Sequence, residues 1–548
     1  VLVKWKNKKL SETNLSSEIW DFKNYIYDVL LKVQLFIFAN VMVNIFKSQT
    51  SSARMKLWTI FFLYVVVAGI GIAHHEFTGD EIHSWNIVKA SSSISDLINN
   101  SRYEGHPPVW YLILWSISKF THNLMYVQVT QLIIASAVVF MVLFYSPFPL
   151  ITRILIPFGY YFLFEYGILS RNYAIGVLPA FCICYSIEKD FKYKLLLYYA
   201  LLFFMSNTHL LALLLAGSLH LYFLLLTFEQ KKKISKLLPH TLLGILVFLP
   251  ALYFIFPPSD SGLTVGILAS KFDDQHLRIL AKTPLRTFLP VPAWWEYNFW
   301  NTQFLLELQG KSSLLKLLTL LLSIGLLGIV WLVLRASKKS LTLFVVNLAL
   351  TFIVAVIFPL TTQRYIGFIF IGFIAAYWMR CYEIPPNRKN SWLITILLGI
   401  QVIAGVFIIT KDIRLPFSNF YRVNELINEV PVNEKIVTDY WCINTISAFT
   451  DTAFYCLGLD SKPIFLQWKK EYNSRGPGVY LNSIKKLFEE ESSKKIYLVS
   501  TYSPRIIFEL DPELKKFFQL KMIDKREGAI DKWSNLYLYE ISRFIQPL

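Results

Sequence analysis

The chain is poor in charge. Asp, Glu, Lys and Arg together supply 17% of its 548 residues, against 55% hydrophobic ones. A soluble domain of this length would carry closer to a quarter charged residues. Cysteine is also scarce. The five present have no zinc-site spacing. Cys182 and Cys184 lie in an apolar helical run as packing residues, whereas Cys442 and Cys456 share a polar segment where a disulfide or two thiols would fit. Acidic residues are outnumbered by basic ones, 37 to 54, leaving a net charge of +17. A nucleic-acid binder would interleave its basic patch with aromatics on a soluble face. None stands out, which excludes nucleic acid as a partner and leaves the positive-inside bias of membrane loops as the source of the charge.

What is abundant is long apolar sequence, with 16% aromatics. Runs near or above 18 residues are the length a bilayer requires of a helix, and solid runs rather than alternating ones exclude a β-barrel. The fold class is therefore a polytopic α-helical membrane protein. Eleven spans are expected, near Met55–Ala73, Asn123–Phe144, Leu150–Glu165, Tyr173–Ile187, Leu195–Met205, Leu210–Leu226, Leu238–Phe256, Leu314–Leu334, Leu341–Leu360, Ile366–Met379 and Trp392–Ile409. With that count, Lys189, Lys192 and Lys194, the "EQKKKISK" run, "RASKKS" and the Arg380–Lys389 region all fall on one side, which the positive-inside rule makes cytoplasmic. Met55 resembles a natural start followed by a signal-anchor helix. Residues 1–54, with one apolar stretch at Tyr27–Phe46, then form an N-terminal extension of uncertain relevance.

The segment "PVWYLILWSISKF" has 13 residues behind a Pro-Pro pair, too few for a crossing. It is expected as an interfacial or re-entrant helix, with "SISDLINN" as a second short surface helix. From Lys411 onward the composition becomes charged. "EKIVTDY", "KPIFLQW" and "KKIYLVSTY" are expected as strands, "NTISAFTDTAFYCLG", "YLNSIKKLFEEESS" and "DPELKKFF" as helices, and "LKMIDKREGAIDKWSNLYLYEI" as a terminal hairpin around Gly528. This predicts three parts: 1–54; a transmembrane domain over 55–410 with a first external loop at 74–111; and an extracytoplasmic α/β domain over 411–548. The tail contains no G-x-G-x-x-G, Walker or G-x-S-x-G sequence, and no nucleotide site is evident in the chain.

Polar residues collect at the outer helix ends: Asp80, Glu81, Glu104 and His106 in the first loop, then Glu165, Arg171, His209 and Arg364, with Lys271, Asp273, Asp274, His276 and Arg278 in a long later loop. Burying such groups singly is costly, so they should face a cavity, a partner or the interface. A carboxylate suits proton abstraction from a hydroxyl, and nearby cations suit a departing phosphate. Asp80 alone also fits a helix N-cap, and the arginines also fit interface anchors. His74, His75, Asp80 and His83 are of zinc-ligand type, but their spacing follows no strong template. No cofactor is therefore assigned, and a divalent metal is the alternative. "VPAWWEYNFW" is read as an interfacial aromatic belt before a sugar platform.

Taken together, "GDEIHSW", "EGHPPVWYLI" and "LSRNYAIGVL" resemble the GT-C superfamily of membrane glycosyltransferases, in the branch of the protein O-mannosyltransferases and lipid A aminoarabinose transferases. The resemblance spans about Met55 to Leu226 in motif and the whole chain in layout. It implies an inverting transferase that takes a sugar from a polyprenyl-phosphate donor to a hydroxyl of a lipid, glycan or protein. Asp80 would be the catalytic base and Glu81 its partner acid, with Glu104, His106, Arg171 and Arg364 binding substrate. The setting implied is a bacterial cytoplasmic membrane, with membrane lipid around the protein and the active face outside. The rival reading is a transporter or flippase of lipid or lipid-linked sugar. Such proteins show internal repeats and mid-span charges. Here no repeat is clear and the charges lie at outer helix ends.

Overall fold

In a bilayer, a helix satisfies its own backbone groups, so long apolar runs fold as helices. The computed structural model describes residues 53–262, 273–310, 312–357, 362–386, 388–450, 452–473, 479–490 and 495–544. Tyr27–Phe46 and Lys271 lie outside these. Among the described residues, eight helices are long and apolar enough to cross a membrane: Ala53–His74, Met125–Tyr145, Leu210–Lys231, Ile234–Ile255, Ser313–Leu334, Lys338–Ile357, Gln363–Glu383 and Ser391–Arg414. Ala174–Ser186 and Lys194–Ser206 are helical and apolar but shorter. The expected span Leu150–Glu165 is not one helix. It breaks into Leu150–Leu155, a 3-10 turn at Ile156–Phe158 and a π turn at Tyr161–Glu165. Pro157 removes a backbone donor there, and Gly159 adopts an extended ψ of 152°.

Gln363–Glu383 is the central helix, with 89% of its apolar window buried, whereas Ile234–Ile255 has 11% buried and forms part of the rim. The main apolar core surrounds the central helix, with Phe370, Phe373, Tyr377 and Trp378 packed beside Phe148, Phe181 and Phe288. Arg364 sits in the first turn of this helix and is thereby fixed by the best-packed element of the molecule.

The first loop folds into three short α-helices, Gly79–Lys89, Ile94–Ser101 and Val109–Ser118, one more than the two expected. The last of these has 10 residues, so "PVWYLILWSISKF" does not cross. After Arg414 the chain builds a five-stranded sheet of order β2-β1-β3-β5-β4, where β1 is Lys435–Thr438, β2 Tyr455–Cys456, β3 Lys495–Ser500, β4 Phe518–Arg526 and β5 Leu536–Arg543. β1 is parallel to β2 and β3, and β5 is antiparallel to β3 and β4. The β4–β5 hairpin turns through Gly528, at φ +85°, a conformation that favours glycine.

Two local expectations in this region are corrected. "NTISAFTDTAFYCLG" is helical only over Ile443–Phe449 and then enters β2. "KPIFLQW" has no strand partner: its Leu466 amide donates to Asn444 Oδ1 at 3.2 Å, and the Trp468 carbonyl accepts from the Gly262 amide at 2.8 Å. Of the two readings open for Cys442 and Cys456, both side chains are buried and no disulfide joins them.

The sheet region and the first loop share a core. Ile82, Trp85 and Leu114 pack with Cys442, Ile446, Val499 and Leu538, and the Asn86 side-chain amide donates to the Asn444 carbonyl at 2.7 Å. The loop that carries the candidate acids is thus held between the helix bundle and the sheet.

Candidate active site

Thr78 caps the helix Gly79–Lys89, so Asp80 is not the N-cap but stands in the first turn. Glu81 fills the third helical position, where its carboxylate reaches back to the Thr78 amide at 2.8 Å. This is the reciprocal arm of a capping box. The geometry turns Asp80 and Glu81 to different tasks.

Asp80 faces a cavity of about 410 Å³ that is also lined by Glu104, His106, Arg171 and Arg364. Arg171 Nη1 lies 3.0 Å from Asp80 Oδ2, and Arg364 Nη2 lies 2.6 Å from the same oxygen. The Asp80 side chain is 47% exposed, against 12% for each arginine. Two nearly buried guanidiniums therefore converge on one open carboxylate. Burial and the charge of Arg364 pull the Arg171 pKa down to about 10, which leaves it charged at neutral pH.

Glu104 and His106 flank Gly105, whose φ of +65° lies in the left-handed region that favours glycine. This turn brings both side chains to the same cavity ahead of Pro107. Glu104 Oε2 lies 2.8 Å from His83 Nε2. Burial opposes a charge on His83, but Glu104 and Asn444 outweigh it and raise its pKa. His106 goes the other way. Burial, then Arg364 and His83, hold its pKa below the usual histidine value against the pull of Glu104, so it is a neutral group at pH 7. His209 is held lower still, by burial, His106 and Arg171.

Glu81 does not line the cavity. It is sealed behind it, 1% exposed. Oε1 accepts from the Ser170 amide at 2.6 Å, and Oε2 lies 3.3 Å from His75 Nε2. His75 Nδ1 in turn lies 3.1 Å from Asp412 Oδ2, on the last apolar helix. Burial works against charge on His75, but Asp412 and Glu81 prevail and raise its pKa well above the usual value. Burial raises the Glu81 pKa and is overcome by His75 and the Thr78 and Ser170 amides, which lower it. The residue after Ser170 is Arg171. This buried acid–histidine–acid chain thus ties the Asp80 helix, the Arg171 turn and the last helix together.

Of the residues read at outer helix ends, the cavity therefore brings together Asp80, Glu104, His106, Arg171, His209 and Arg364. Glu165 is elsewhere, accepting from Tyr160 and Trp300 at 2.9 and 3.1 Å. Asp273 and His276 pair with each other at 2.8 Å and do not line the cavity. His74 turns back to the Ile70 carbonyl at 2.8 Å, and among the described residues no group of three or more His, Cys, Asp or Glu is placed to hold a metal ion. The sequence reading missed Tyr173, Tyr365 and Trp468, which complete the cavity wall. Tyr173 and Tyr365 directly follow "RN" and "R" at cationic helix starts, a signal available in sequence. Trp468 has no such signal. Several polar atoms on the lining residues, Glu104 Oε1, His106 Nδ1, Asn172 Oδ1, His209 Nε2 and Arg364 Nε, are buried without a hydrogen-bond partner. Native interiors leave few polar atoms in this state, and a cluster of them calls for an explanation, of which a ligand site is one.

No family model matches the sequence, and no curated protein matches it. Solved structures do. The crystal structure of ArnT from Cupriavidus metallidurans bound to undecaprenyl phosphate aligns with a TM-score of 0.50 at 11% identity, over 89% of this chain and 98% of that one. The apo structure of the same protein aligns with a TM-score of 0.49 over the same shares. At this identity the likeness is one of fold: the chain is a polytopic helical membrane protein that shares the overall fold of this ArnT.

Proposed function

We propose that the chain is a membrane glycosyltransferase that moves a sugar from a polyprenyl-phosphate carrier to an acceptor hydroxyl at the outer membrane face, with inversion. The observation that carries this reading is the convergence of Arg171 and Arg364 on Asp80 in one cavity. Apolar side chains from the surrounding helices, Leu210, Leu211, Ile255 and Val354, line the same cavity and suit a lipid-borne substrate. The similar fold of ArnT, solved with undecaprenyl phosphate, supports the same donor class.

In this mechanism the donor phosphate competes with Asp80 for the two arginines, bidentate groups well matched to phosphate oxygens. Once drawn onto the phosphate, they release Asp80. The carboxylate then takes the proton of the acceptor hydroxyl. The hydroxyl oxygen bonds to the anomeric carbon from the face opposite the phosphate. The carbon–oxygen bond to the phosphate breaks and its electron pair leaves with the polyprenyl phosphate, whose charge the arginines stabilise. His106 and Glu104 bind substrate. Glu81 is a positioning residue: it fixes the Asp80 helix and, through the Ser170 amide, Arg171.

We place the active face outside a bacterial cytoplasmic membrane, and divide the chain into a helical catalytic part over 55–410 and an outer part over 411–548. The test is transfer by the purified protein in detergent from a panel of radiolabelled polyprenyl-phosphate sugars to membrane extract. The wild type should transfer and Asp80→Asn should lose about 10²–10⁴-fold in rate, the range of a general base. Equal transfer by both would remove Asp80 as the base. Movement of label across liposomes without transfer would establish a flippase instead.

A further inference from the structure

An acceptor has to bring its hydroxyl to Asp80 from outside. Among the described residues, Trp468 is the one lining residue of that cavity that comes from beyond the last apolar helix. It is held in a firm frame. Its carbonyl accepts from the Gly262 amide at 2.8 Å and from Ser261 Oγ at 3.0 Å, and the Lys470 amide donates to the Asp260 carbonyl at 2.7 Å. The indole is followed by a second. The Trp441 ring lies 5.8 Å from that of Trp468, and the Tyr440 ring lies 5.4 Å from that of Trp441. Trp441 is 41% exposed.

This ridge is mounted on the sheet. Asp439, at the end of β1, accepts from the Trp441 amide at 2.8 Å with one oxygen and from Ser500 Oγ and the Thr501 amide, at the end of β3, with the other. Tyr440 is braced by its hydroxyl, which donates to the Gln467 carbonyl at 2.7 Å. The rings thus run from the cavity wall to the carboxyl ends of two parallel strands, the edge of an α/β sheet where ligands commonly bind.

We propose that the acceptor is a glycan, laid across Trp441 and Trp468 with its terminal sugar passed into the cavity. The inference rests on the transferase reading above and names the acceptor it left open. Indole faces present a wide, rigid apolar surface at little cost in conformational entropy, which matches the C–H face of a pyranose ring while the sugar hydroxyls remain in water. A lipid acceptor would be met by the apolar helix side of the cavity, at Leu210, Leu211 and Ile255, and would need no ridge that continues outward to Trp441 on the sheet. A peptide would be expected to add to a free strand edge, but β1 and β3, the strands beneath the ridge, are each paired on both sides. The ridge also explains a sequence feature the function leaves unused: "KPIFLQW" forgoes a strand and instead presents Trp468 to the cavity.

The test uses the full-length protein with whichever polyprenyl-phosphate sugar it consumes. Three acceptor fractions are offered: glycan released from membrane lipids by mild acid, the deglycosylated lipids, and membrane protein freed of glycan. The free glycan should accept label. Trp441→Ala should raise the KM for it about tenfold, as a kcal-scale stacking contact requires, with the loss in KM rather than kcat. Trp441→Phe should recover most of that loss. Trp468→Phe, which keeps a ring at the cavity wall, serves as the second variant and should show a smaller rise in KM. A Trp441→Ala KM equal to the wild type, or transfer only to the lipid or protein fraction, would overturn the glycan assignment and leave the transferase reading intact. Failure of the wild type to consume any donor, by transfer or by hydrolysis, would overturn both.

Discussion

At the scale of single residues, neighbouring acids have opposite fates. Asp80 is open to the cavity and paired with two arginines, whereas Glu81 is sealed in a chain with His75 and Asp412. Replacing either arginine with Lys keeps the charge but loses the planar fork. Arg171→Lys and Arg364→Lys should each lower kcat/KM about 10²–10³-fold, by analogy with the loss of one oxyanion-stabilising donor, read in the same transfer assay. Glu81 should behave as a structural group. Removing one member of a buried ion pair costs about 3–5 kcal/mol, so Glu81→Ala should lower the thermal unfolding temperature in detergent where Asp80→Asn does not. The pH dependence has a definite sign. Glu81 titrates below its ordinary 4.5, so its contribution is present above that value and is lost as pH falls through the lowered pKa. His75 titrates well above its ordinary 6.5, so its contribution is complete below 6.5 and is lost as pH rises through the raised pKa. The contributions of this pair are therefore both complete between 4.5 and 6.5 and decline on either side, and Glu81→Gln should weaken the acid-side decline.

At the scale of elements, the Glu104–Gly105–His106 turn is the most sensitive join. Gly105 holds φ at +65°, and a side chain there costs about 1–2 kcal/mol. Gly105→Ala should move Glu104 and His106 relative to Asp80, and activity should fall far more than the unfolding temperature. The helix Gly79–Lys89 depends on contacts that are remote in sequence. The Asn86 side chain donates to the Asn444 backbone carbonyl at 2.7 Å, and the Asn444 side-chain amide, which Asn444→Leu removes, lies 3.0 Å from His83 Nδ1. Asn444→Leu should therefore impair transfer although it lies outside the cavity lining, with loss of protection of the first-loop helix in hydrogen exchange as the check.

At the scale of the whole molecule, the sheet region is part of the support of the site and not an appendage. It shares a core with the first loop. It also holds the 528–531 segment against the bundle, where Asn298 Nδ2 donates to the Ala529 and Ile530 carbonyls at 3.0 and 2.8 Å. Truncation after Arg414 should expose Ile82, Trp85 and Leu114 and yield aggregated or inactive protein, as shown by size-exclusion chromatography. The proposed orientation is checked by single cysteines. Lys521→Cys, on exposed β4, should react with a membrane-impermeant maleimide in intact cells, whereas Lys232→Cys should react only after permeabilisation.

The sequence alone determined that the chain is a helical membrane protein, because apolar length is a one-dimensional property that the bilayer reads directly. It also determined the charged residues of the cavity: Asp80, Glu104 and Arg171 stand in short motifs with His106, and Arg364 at a helix start. Tertiary structure decided the rest. Leu150–Glu165 reads as a span by hydropathy, yet a proline and an extended glycine break it. Glu81 reads as the twin of Asp80, yet their separation depends on which side of one helical turn meets His75 and the Ser170 amide. Trp468 joins the cavity from nearly 400 residues beyond Asp80, across a contact that no local pattern encodes. Local chemistry and apolar length are written along the chain, but which carboxylate is open and which is sealed follows from packing between distant segments.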